Sequence, residues 1–238
     1  MFKQIKSPVF LALDVDNDRE ALLLAEKVRD YVGGFKIGPR LCMRYGEAFV
    51  QQLAQLGHVF IDNKYYDIPN TMLHAVRASF ESGASFVTVH AQAGAEALRL
   101  LADLESALNK ERPFQILAVT VLTSFTEQNL PPNLRPQPID QQVKELTQLT
   151  MESGLRGYVC SPLEVKMLKS LFPASFAVTP GIRFTEENKD DQKRTLGPRE
   201  AIMAGSSLLV VGRPIVQAKN PREAAERFFE AAKVRSIG

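Results

Sequence analysis

Histidine occurs three times in 238 residues and cysteine twice, and each scarcity removes a class of chemistry. Cys42 and Cys160 have no CxxC spacing and make no disulfide framework, which fits a reducing cytosol. His58, His74 and His90 are too few and too scattered for the cluster of histidines and carboxylates that metal-dependent catalysis wants. No apolar run is long enough to span a membrane, and the opening MFKQIKSPVF carries no signal-peptide core. A soluble, cytoplasmic protein is expected. Charge of one sign is also missing: 29 Lys+Arg against 27 Asp+Glu leave +2. That balance argues against a nucleic-acid or membrane surface, so any anion site must be local.

What is present is a repeated alternation. Short β-rich runs stand at PVFLALD (8–14), FKIG (35–38), HVFID (58–62), FVTVH (86–90), QILAVTV (115–121), GYVC (157–160), FAVTP (176–180) and LLVVG (208–212). Several are apolar at nearly every position, as strands buried on both faces are. Amphipathic segments lie between them. DNDREALLLAEKVRDY opens on Asn/Asp caps, while PNTMLHAVRASFESG and DQQVKELTQLTMESG close on Gly83 and Gly154. SPLEVKMLKSLF and NPREAAERFFEAAKV begin with a cap residue followed by proline, predicting helices that start at Pro162 and Pro221. Met43, Met72, Met151 and Met203 read as core filler.

Eight strands alternating with eight helices predict a parallel sheet closed into a (β/α)8 TIM barrel, one domain over residues 1–238. An open doubly wound sheet is the alternative, but no GxGxxG follows the first strand. Two connections, 123–139 and 181–197, are long enough to be lids or binding loops.

In a barrel the C-terminal strand ends meet at one face, where active sites are built. The residues predicted there are Asp14, Lys36, Asp62 with Lys64, His90, Thr123 and the Gly212-Arg213 pair. Lys36 is the most informative. GGFKIGPR buries a lysine in an apolar strand, and a buried lysine needs a partner. Asp62 on the next strand is in reach, and Lys64 follows two residues on, so a Lys36–Asp62–Lys64 row is expected. Opposite neighbours favour the ionised forms. Such a row suits an enzyme that stabilises developing negative charge and then delivers a proton.

The motifs VTPGIR and VVGRP each supply a glycine and an arginine, Arg183 and Arg213, after the seventh and eighth strands. Barrel phosphate sites commonly use these two loops, and an arginine fork matches phosphate oxygens. A small phosphorylated substrate is expected.

At these residues the chain resembles the orotidine 5′-monophosphate decarboxylases in their compact bacterial form. The DxKxxDIxxT signature stands as Asp62-Asn63-Lys64-Tyr65-Tyr66-Asp67-Ile68-Pro69-Asn70-Thr71, with LALD, FKIG, VTVH, AVTVLTS, VTPGIR and VVGRP around it in order. The resemblance implies decarboxylation of orotidine 5′-monophosphate (OMP) to UMP, with no cofactor and no metal. It assigns Asp62 a place beside the departing carboxylate and Lys64 protonation of pyrimidine carbon six. Lys36 would hold Asp62 and contact ribose, with Asp14 on the ribose hydroxyls and Thr123 on the pyrimidine. Arg183, Gln192, Gly212 and Arg213 would hold phosphate. Asp67 would reach into a neighbouring subunit, making a homodimer, and the whole signature from Asp62 to Thr71 would contribute to binding. Asn63 and the Tyr65-Tyr66 pair depart from the family's usual apolar residue and aromatic-His pair. Two other readings stay open: a metal-dependent sugar-phosphate epimerase or aldolase, and a nucleotide-binding sensor on a decayed barrel.

Overall fold

The computed structural model describes residues 5–131, 134, 137–184 and 195–233. Eight strands, β1 (Val9–Ala12), β2 (Gly34–Ile37), β3 (His58–Tyr65), β4 (Phe86–His90), β5 (Gln115–Val119), β6 (Gly157–Val159), β7 (Phe176–Pro180) and β8 (Leu208–Val211), pair in sequence order and close into a barrel. All eight pairings are parallel, and β1 joins β8 through Val9–Leu209 to Leu11–Val211. The open-sheet alternative is excluded by that last pairing.

The alternation of side chains along each strand sets two separate cores. Phe10, Ala12, Phe60, Phe86, Leu117 and Val178 point inward and fill the barrel. Phe86 stands edge-on to Phe10 with centroids 5.5 Å apart and stacks on Phe176 at 6.0 Å. Val9, Leu11, Phe35, Ile37, Val59 and Ile61 point outward and bury against helices. With both faces covered, the near-continuous apolar runs in the sequence are accounted for.

The helices are α1 (Asp18–Val28), α2 (Pro39–Ala54), α3 (Pro69–Glu81), α4 (Gly94–Leu108), α5 (Ile139–Glu152), α6 (Val165–Leu171), α7 (Pro198–Ala204), α8 (Arg213–Val216) and α9 (Pro221–Ala232). In α1 the Asn17 side chain accepts the Glu20 amide, and Ala21, Leu24, Ala25 and Val28 form its buried stripe. Gly83 and Gly154 follow α3 and α5 with φ of +105° and +100°, the left-handed conformation that closes a helix. Asn220 caps α9 by accepting the Glu223 amide, with Pro221 at its first position as expected.

Three expectations are corrected. Pro162 does not open a helix: residues 162–164 form a turn, and α6 starts at Val165. The last connection carries two helices, because α8 ends after four residues before Asn220 and Pro221 start α9. Met72 and Met151 are buried, but Met43 and Met203 are 85% and 67% exposed and fill no core. Among the described residues, no helix is long and apolar enough to cross a membrane.

Candidate active site

A cavity of about 250 Å³ opens at the C-terminal ends of the strands. Its floor is apolar, built from inward residues such as Ala12, Phe60, Val178 and Val210. Its walls carry Asp14, Lys36, Asp62, Lys64, Thr123, Arg183, Gly212 and Arg213. Eight of the sequence-predicted residues therefore converge on one space, although they are drawn from six strand ends.

The parity of the strands explains who is there. On β3, Phe60 points inward, so Asp62 and Lys64 follow on the same side, one and two pleats higher. On β2, Lys36 sits between the outward Phe35 and Ile37. Its ammonium lies 3.4 Å from Asp62 Oδ2 and 3.8 Å from Asp14, with the lysine side chain 13% exposed. Lys64 Nζ donates to Asp62 Oδ1 at 2.8 Å. The interleaved row expected from the sequence is thus present as a contiguous set of contacts.

Burial by itself would push the Asp62 carboxyl up. The ammoniums of Lys36 and Lys64, together with hydrogen bonds from Lys64 and Thr88, outweigh burial and hold it below the usual carboxylate range. The site therefore keeps a fixed anion between two cations in a partly desolvated pocket.

Lys64 also has φ of +50°, and among the described residues it is the one non-glycine at positive φ. That conformation costs an L-residue about 1–2 kcal/mol. It arises where β3 bulges: Ile61 pairs with Val87 and Tyr65 with Val89, so four steps on β3 span two on β4. The Lys64 amide is held there by Thr88 Oγ1 at 2.9 Å, and Thr88 Oγ1 in turn donates to Asp62 Oδ1 at 3.0 Å. Thr88 was not singled out in the sequence. Its signal was available, because it shares inward parity with Phe86 on β4.

The same parity places two of the expected residues elsewhere. Asn63 and Tyr65 are outward positions and do not line the cavity. Asn63 Nδ2 donates to the Tyr65 hydroxyl at 3.0 Å, and that hydroxyl meets Ser79 Oγ of α3 at 3.0 Å. They link the strand to α3 instead. Tyr66, Asp67, Ile68, Asn70 and Thr71 are exposed and Pro69 is half-buried, all outside this cavity, and the Asp67 carboxylate accepts the Ile68 amide at 2.7 Å. Gln192 lies outside the described residues.

On the other side of β1, the β7 and β8 ends bring the arginines. Arg183 is buried, and its amide donates to Leu196 O at 3.1 Å across the base of the 181–197 connection. Arg213 opens α8 directly after Gly212. A Cβ on Gly212 would stand 3.8 Å from Asp14 Oδ2, so the two regions adjoin at β1.

The histidines are dispersed. His58 begins β3 at the far end of the barrel and bonds Ser85 at 3.0 Å, His74 is exposed on α3, and His90 faces the Tyr66 ring at 5.6 Å. His90 is absent from the cavity lining, contrary to the expectation for the end of β4. Burial, and then the Lys64 ammonium, lower its pKa below the ordinary value. Among the described residues, no three His, Cys, Asp or Glu side chains are grouped so as to hold a metal ion.

Comparison with known proteins agrees with this geometry. The "Orotidine 5'-phosphate decarboxylase / HUMPS family" matches residues 7–228. The chain is 39% identical over 234 residues to an orotidine 5'-phosphate decarboxylase of Trichlorobacter lovleyi, covering 95% of each chain. It is 42% identical over 220 residues to that of Aliivibrio fischeri, covering 90% of this chain and 92% of the relative. The crystal structure of orotidine 5'-phosphate decarboxylase from Lactobacillus acidophilus superposes with a TM-score of 0.83 at 33% identity, over 96% of this chain and all of the other. With a closed barrel, a Lys–Asp–Lys row at its mouth and a match across nearly its whole length, the chain belongs to the orotidine 5'-phosphate decarboxylase family.

Proposed function

We propose that this protein decarboxylates OMP to UMP in the cytoplasm, as a homodimer of single-domain barrels spanning residues 1–238. The observation that carries the reading is the row itself: Lys36, Asp62 and Lys64 joined at 3.4 and 2.8 Å in a cavity that also holds Arg183 and Arg213.

The phosphate takes no part in bond breaking, so the arginines and the Gly212 backbone serve to anchor the substrate. Anchoring energy from a remote group can be used to seat the reacting ring against groups it would otherwise avoid. The substrate carboxylate would then lie beside Asp62, an anion held ionised by its two cations. When the bond from carbon six to the carboxyl breaks, carbon dioxide leaves and the electron pair stays on carbon six. The Lys64 ammonium stabilises that carbanion and transfers a proton to it, and solvent later returns the proton to the amine. Lys36 fixes Asp62 and, with Asp14, meets the ribose hydroxyls, while Thr123 meets the pyrimidine. In this scheme every charge the reaction needs is a side chain of the row, so no cofactor is called on.

A homodimer is the second part of the reading. Tyr66 and Ile68 are 62% and 68% exposed beside Asp67, and Met43 near the start of the neighbouring α2 is 85% exposed. Exposed large apolar side chains such as these suit a subunit interface. Asp67 with residues 68–71 would complete the partner's cavity. The direct test is the fall in OMP absorbance with purified protein, with and without chelator. Turnover that survives chelation is expected. Loss with chelator, or UMP binding without OMP turnover, would move the assignment to a metal-dependent relative or a sensor.

A further inference from the structure

The Thr88 hydroxyl stitches the two central residues of the charged row to the neighbouring strand. Thr88 is fully buried on β4 and is not part of the cavity wall. Its Oγ1 accepts the Lys64 amide at 2.9 Å and donates to Asp62 Oδ1 at 3.0 Å. Asp62 Oδ1 is also the oxygen that accepts Lys64 Nζ at 2.8 Å. One hydroxyl therefore fixes both the backbone from which the lysine springs and the carboxylate on which its ammonium rests.

Without that hydroxyl two freedoms return. The Lys64 peptide, held at φ of +50° on a bulge, loses the acceptor that compensates its conformation. The Asp62 carboxylate keeps its two ammonium partners but can turn between them, carrying Lys64 Nζ with it. Reaction geometry tolerates little displacement of a proton donor. We propose that Thr88 is a positioning residue for decarboxylation, acting through Asp62 and Lys64 and touching neither substrate nor product. The proposal rests on the decarboxylase reading above.

Its test compares Thr88→Val, Thr88→Ala and Thr88→Ser in the full-length protein. Valine keeps the shape and removes the hydroxyl, and the alanine–serine pair differs in the hydroxyl alone. In Thr88→Val and Thr88→Ala, kcat for OMP should fall roughly 10- to 100-fold, the scale of one hydrogen bond to a charged group. The KM for OMP and the affinity for UMP should stay within about threefold, since the phosphate and ribose contacts are untouched. Thr88→Ser should recover most of the wild-type kcat. A role in packing alone would move kcat, KM and UMP affinity together with the melting temperature, and serine would then be no better than alanine; that result overturns the proposal. So does a Thr88→Val or Thr88→Ala enzyme within about twofold of the wild-type kcat. Wild-type protein that turns over no OMP removes this role together with the reading beneath it, whereas an active wild type with equally active variants removes the role alone.

Discussion

Glu105 offers a sharp test of the physical reasoning away from the cavity. It lies on α4, turned toward the barrel, where its Oε2 accepts the amide of Ile116 at the start of β5. Burial pushes its carboxyl up from 4.5 to about 7, against the lowering effect of the Ile116 N–H. A group whose folded pKa is raised contributes stability that is fully present below its unfolded value and is lost as pH rises through the folded value. The window here runs from 4.5 to about 7. At about 1.36 kcal/mol per decade of proton affinity, ionised Glu105 lowers stability above that window by roughly 3 kcal/mol. Glu105→Gln keeps an acceptor for the Ile116 amide and cannot ionise. The variant should therefore be more stable than wild type by roughly that amount near pH 8, with the advantage shrinking to nothing by about pH 4.5. Urea unfolding of both proteins across this range measures the difference. His58 and His90, whose pKa values burial lowers, remove stability as pH falls, but they do so in both proteins and cancel. A difference that is independent of pH, or that grows toward acid, would refute the argument. Because Glu105 does not line the cavity, OMP turnover by the variant should match wild type.

Three further outcomes follow from the site. Lys64→Ala should fold but lose more than about ten-thousand-fold in kcat, since proton donation and carbanion stabilisation go together; near-normal turnover would contradict the donor assignment. Arg213→Ala should lower kcat/KM roughly 10- to 100-fold through a lost charge-assisted phosphate contact, and an unchanged value would move the phosphate elsewhere. If Asp67 serves the partner's cavity, mixing inactive Lys64→Ala with inactive Asp67→Ala should restore activity by creating one intact site per mixed dimer. Failure to complement would confine each site to its own chain.

The barrel was legible because its cause is local. Runs such as LLVV and VFLA are apolar at every position, a pattern that needs cover on both faces, and the intervening segments carry caps and closing glycines at their ends. Pro162 misled because a Ser-Pro pair suits a turn as well as a first helical turn, and nothing local separates the two. Met43 and Met203 misled because hydropathy alone cannot say which side of a helix meets the barrel.

The site divides in the same way. From the sequence alone came the row of Lys36, Asp62 and Lys64 and the paired arginines, because charges at the ends of buried strands can only face the barrel mouth. Strand parity also decides that Asn63 and Tyr65 point away, though the DxKxxD motif draws attention to them as a block. Only the tertiary structure decided the rest. The bulge between β3 and β4, the left-handed turn at Lys64 and the bond from Thr88 depend on the register of two strands that lie some 25 residues apart (Lys64 and Thr88 are separated by 24). Register is a property of the closed sheet, fixed by all eight strands packing at once, and no single stretch of the chain carries it.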